Sequence, residues 1–109
     1  MFLKKLFTKP KIQKEELEML KEIATKFENQ IFTESNYEFL YDELEKFNGL
    51  AINYAPALIY SLQIVQQKRD LNRNMVEREE KINRNFCQSI FEDMNKVIDF
   101  ILSKYEVKE

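Results

Sequence analysis

A chain of 109 residues with a net charge of −2, one Gly, two Pro and neither His nor Trp has the size of one domain and few residues that make turns. Lack of His excludes Ser-His and Cys-His nucleophile pairs and His-containing metal sites. A single Cys87 cannot form an internal disulfide, which points to a reducing cytoplasm.

The expected fold class is all-α, a small four-helix bundle over residues 13–109 that follows a basic amphipathic leader at residues 1–12. In the leader, Phe2, Leu3, Leu6 and Phe7 recur at helical spacing with Lys4 and Lys5 between them, and Pro10 breaks the pattern. Helix 1 is expected near 13 to 32, with Leu17, Leu20, Ile23, Ala24, Phe27 and Ile31 on one stripe and Glu16, Glu22, Lys26 and Glu28 outside it. Helix 2 is expected near 35 to 48. Ser35 and Glu38 have the spacing of a capping box, Tyr37, Leu40, Tyr41, Leu44 and Phe47 form the inner face, and Asn48-Gly49 supplies a stop.

The twenty residues from Asn48 to Gln67 carry no charge, although a third of the chain is charged. Their apolar part, Leu50 to Val65, is interrupted by Asn53, Pro56, Ser61 and Gln63 and falls short of the roughly 20 apolar residues that a membrane span needs. It reads instead as a central helix, expected near 53 to 69, capped by Asn53 with Pro56 in its first turn. Ala55, Leu58, Ile59, Leu62 and Val65 share one face, while Ala57, Tyr60 and Ile64 occupy others. A helix of that kind is contacted on several sides.

Between Lys68 and Asn74 the cap chemistry favours a break: basic residues suit a helix end, and Asn74 with Glu77 suits a new start. Helix 4 then runs near 74 to 105. The alternative is two short helices plus one long helix of about 50 residues that dimerises, on the order of 75 Å long. In that arrangement Phe86, Ile90, Met94, Val97, Ile98, Ile101 and Tyr105 need a partner chain. A regular coiled coil through the middle is disfavoured, since the register places Arg69, Asn72, Glu79 and Asn83 at core positions.

No catalytic residue, cofactor site or metal site is expected, and the chain reads as a non-enzyme. Cys87, beside Phe86, reads as structural. The acid pairs Glu15-Glu16, Asp42-Glu43, Glu79-Glu80 and Glu92-Asp93 point in different directions on a helix, and bundle di-metal sites also need a Glu-x-x-His that this chain lacks. Arg69, Arg73, Arg78 and Arg84 share their segment with Asp70, Glu77, Glu79 and Glu80, so nucleic acid is disfavoured as a partner. No small-molecule substrate is inferred.

These features suggest a protein-protein interaction or adaptor protein that binds a protein partner or itself, with a homodimer expected and Tyr54, Tyr60 and Ile64 as interface candidates. One alternative is peripheral attachment at the inner face of the membrane. Phe2, Leu3, Leu6 and Phe7 would enter the interface there, and Lys4 and Lys5 would meet anionic headgroups. A small helical immunity or inhibitor protein is a further alternative, on class-level similarity alone.

Overall fold

The computed structural model describes residues 9–61 and 80–109. In chain order these form β1 (Lys11–Gln13), α1 (Lys14–Thr25), α2 (Tyr37–Ala51), α3 (Pro56–Ser61), α4 (Glu80–Lys104) and β2 (Glu106–Lys108). The chain is mostly helical, as its composition implies. Residues 62–79, where the sequence leaves open a turn or a continuous helix, lie outside the described residues, as does the leader up to residue 8.

α1 packs against both α2 and α4. Leu17, Leu20, Ile23 and Ala24 of α1 are buried, together with Leu40, Leu44, Phe47 and Ala51 of α2. From α4 come Cys87, Ile90, Met94, Val97, Ile98 and Ile101, which recur at steps of three and four residues. This stripe, which a long-helix dimer would bury against a second chain, is covered within one chain.

α1 is shorter than its apolar spacing predicts. Lys26 N–H donates to the Ile23 carbonyl at 3.1 Å, Phe27 N–H to Ala24 at 3.0 Å and Glu28 N–H to Thr25 at 3.2 Å. These three-residue steps tighten the last turn. Asn29 then adopts φ 56°, the left-handed conformation that Asn tolerates at a helix end. By ending there, the chain turns both Phe27 and Phe32 into the core. Their rings meet edge to face at 6.3 Å, and Phe32 meets Phe86 of α4 in the same way at 6.4 Å. Asn83 of α4 is buried beneath this loop, and its Nδ2 donates to the Phe32 carbonyl at 3.2 Å. A polar residue that would spoil a coiled-coil seam therefore anchors a loop here.

The Ser35–Glu38 capping box does not form. α2 starts at Tyr37 with Asn36 as its N-cap and no side-chain cap bond. Asn36 serves the preceding loop instead: its Oδ1 accepts from Thr33 N–H at 2.8 Å, and its Nδ2 donates to the Ile31 carbonyl at 2.9 Å. The Asn48-Gly49 stop is also corrected, since α2 continues to Ala51 and no glycine has positive φ. The physical reason is burial: Phe47, Ala51, Ala55 and Ile59 follow one another at four-residue steps and are all buried. Ile52 N–H donates to Asn48 at 3.0 Å and Ala55 N–H to Ala51 at 2.8 Å, which carries the chain to α3. Pro56 is the first residue of α3, a position where its missing N–H does no harm. Ala55, not Asn53, precedes it and accepts the first helical bond, from Ile59 N–H at 3.0 Å.

The sequence gives no sign of the two strands. β1 and β2 pair in parallel, with Lys11 opposite Glu106, Ile12 opposite Val107 and Gln13 opposite Lys108. Glu106 N–H also donates to the Pro10 carbonyl at 2.9 Å. Ile12 is buried in the core, so the stretch read as the end of the leader belongs partly to the packed domain.

Candidate functional site

The joint between α2 and α3 meets the end of α4 through two tyrosines. Tyr105 lies just beyond α4, where its N–H still donates to Ile101 at 2.9 Å. Its hydroxyl donates to the Tyr54 carbonyl at 2.8 Å. The two rings pack edge to face at 5.3 Å, and the Tyr54 hydroxyl donates to Glu16 Oε2 of α1 at 2.8 Å. Burial, aided by the adjacent Glu16 carboxylate, pushes the Tyr54 phenol up to about 12. It stays protonated and acts as a donor at any physiological pH.

Beside this clasp lies an open cleft of about 410 Å³, lined by Tyr54, Ala55, Pro56, Ala57, Leu58, Ser61 and Phe100. None of these side chains is charged, and the walls are mostly carbon. The volume falls in the range that takes a small ligand or a few side chains. A second, polar hollow of about 230 Å³ lies on α2 between Tyr37, Glu38, Tyr41 and Asp42. It is a solvated acidic surface.

The three interface candidates have different surroundings. Tyr54 is half-buried and held by the clasp. Tyr60, on α3, is 70% exposed, the most exposed of the large hydrophobic residues described. Ile64 lies outside the described residues, as do Phe2, Leu3, Lys4, Lys5, Leu6 and Phe7. Local sequence reading passed over Tyr105, Phe100 and Glu16 as site residues. For Tyr105 a signal existed: a tyrosine closing an apolar stripe needs a partner for its hydroxyl. That partner is 51 residues away in sequence.

Among the described residues, no three His, Cys, Asp or Glu side chains come together in a way that could hold a metal ion. Cys87 is fully buried. Burial pushes its thiol up to about 12 despite an opposing backbone hydrogen bond from Phe32, so it is far from the thiolate that nucleophilic chemistry needs. Glu43 is the one buried Glu among the described residues, its side chain only 6% exposed, and it pairs with Lys26 at 3.1 Å and Lys46 at 3.7 Å. The Lys26 ammonium also stands 5.5 Å over the ring of Phe39. This network joins α2 to the α1 turn.

Among the described residues, no helix is long and apolar enough to cross a membrane. The molecule is thus defined as a small, mostly helical domain closed by a parallel two-stranded ribbon. No family model, curated protein or solved structure matches the chain.

Proposed function

We propose that this chain is a non-enzymatic interaction protein of four-helix architecture that associates with a second copy of itself through the outer face of α3. The supporting observation is Tyr60, 70% exposed in a described helical stretch, Pro56–Ser61, that carries no charged side chain. An aromatic residue projecting from an uncharged surface is the usual composition of an interface anchor. α3 is held from behind by buried Ala55 and Ile59, so the ring is presented from a fixed platform.

Sedimentation velocity on the full chain over a range of concentrations tests this reading. The expected result is a monomer-dimer equilibrium that Tyr60→Lys weakens at least tenfold in Kd, with far-UV circular dichroism unchanged because the side chain leaves no core. A strictly monomeric wild-type chain overturns the reading. So does a dimer indifferent to Tyr60→Lys.

A further inference from the structure

We infer that the second copy is met along the outer edge of β2, in an antiparallel two-fold pairing centred on Val107. This rests on the reading that the chain pairs with itself, and deepens it by giving the main-chain register. The first observation is the direction of the backbone groups. Glu106 N–H points to β1, where it donates to the Pro10 carbonyl at 2.9 Å. Successive residues of a strand turn their N–H and C=O to opposite edges, so those of Val107 point away from β1. Among the described residues no strand pairs with that side, since the sheet holds β1 and β2 alone, and Glu106, Val107 and Lys108 are all exposed. An open edge of this kind is a template for another strand.

The second observation is charge. When Val107 meets Val107 of a second copy in antiparallel register, the two exchange a pair of hydrogen bonds. Glu106 then stands against Lys108 of the second copy and, by symmetry, Lys108 against Glu106, so two opposite-charge pairs flank one apolar pair. Neither Glu106 nor Lys108 has an ion-pair partner among the described residues. β1 offers no such match, because the same two-fold operation there sets Lys11 against Gln13. Charge complementarity thus selects the β2 edge, with a second copy as its occupant. The third observation is position. Tyr105, immediately before β2, donates its hydroxyl to the Tyr54 carbonyl at 2.8 Å, and Tyr54 leads into α3. β2 and α3 therefore lie at the same end of the molecule, and one dimer can use both. Three residues bury little area, so the edge sets the register while α3 supplies apolar surface.

Disulfide trapping in the full chain tests the register, with oxidised glutathione as oxidant and Cys87 retained as a fully buried thiol. Glu106→Cys and Lys108→Cys are made in separate chains. In the proposed pairing, residue 106 lies directly across from residue 108 of the other copy, about 4.5 Å between Cα atoms, a separation that a disulfide bridges. Two copies of either variant alone place their cysteines diagonally, at about 7–8 Å, beyond that reach. The expected result is an interchain bond that forms at least tenfold faster in an equimolar mixture of the two variants than in either alone. Val107→Pro in both chains should remove that preference, because the ring deletes the outward N–H and leaves the bonds to β1 in place. Equal rates in the mixture and in the single variants overturn the inference, as does a preference that survives Val107→Pro. Sedimentation of Tyr60→Lys separates the two ideas. A dimer that depends on Tyr60 but shows no preference for the mixture overturns the β2 pairing alone, whereas a preference with a dimer indifferent to Tyr60→Lys supports the β2 pairing and overturns the α3 contact.

Discussion

Asp93 shows how one residue sets a pH dependence. It is buried on α4 with Lys96 at 3.8 Å, and burial raises its carboxyl above the ordinary 3.8, outweighing the attraction of Lys96. A carboxyl held above its unfolded value binds its proton more tightly in the folded state. Its contribution to stability is therefore greatest in acid and is lost as pH rises from about 4 through the folded-state value. Asp93→Asn keeps the shape and removes the charge. The screened Lys96 pair that it forfeits is worth under ~1 kcal/mol. Urea unfolding of the variant should show a higher midpoint at neutral pH and a flatter dependence between pH 4 and 7, and a lower midpoint at pH 7 would contradict the assignment.

At the scale of the element, Gly49 carries the lesson. It lies inside α2 at ordinary helical φ, and a Cβ built there meets nothing within 4 Å. Gly49→Ala should therefore stabilise the chain by about 0.5–1 kcal/mol, by restricting the unfolded state without straining the folded one. Thermal unfolding checks this, and a lowered midpoint would show that Gly49 has a conformational role after all. The sequence pattern made Gly49 look like a stop because glycine near a helix end usually is one. What overrode it was the burial of Ala51, Ala55 and Ile59 further along, small residues whose core role no local rule announces. The stripes of α1, α2 and α4 were legible because side chains recurring every three to four residues must share a face. The end of α1 was not, because it depends on Asn29 and on where Phe32 finds its ring partners.

Across the whole molecule, what sequence reading could not reach is long-range pairing. β1 and β2 are three residues each, and only β1 carries a buried side chain, Ile12. Such short segments have no strand signature of their own; they exist because α1 and α4 bring their ends together. The candidate site was equally hidden: Tyr54 and Tyr60 stood out in sequence as interface candidates, but that Phe100 and Tyr105 come to Tyr54 is set by the tertiary fold. The Tyr105 hydroxyl secures that closure, so Tyr105→Phe should cost about 1 kcal/mol by leaving the Tyr54 carbonyl without its donor. Hydrogen exchange should report faster exchange at the Glu106 amide, which bonds to Pro10, while the amides of α2 keep their protection. Uniform loss of protection would mean that the clasp is inseparable from the core.

The parallel ribbon also fixes how the molecule bears load. β1 begins at Lys11 and β2 ends at Lys108, and because the strands run the same way these two points lie at opposite ends of the pairing. Tension drawn between them acts along the strands and across their hydrogen bonds. The rungs then resist together as a lap joint does in shear, where an antiparallel pair tugged from one end would open rung by rung like a zip.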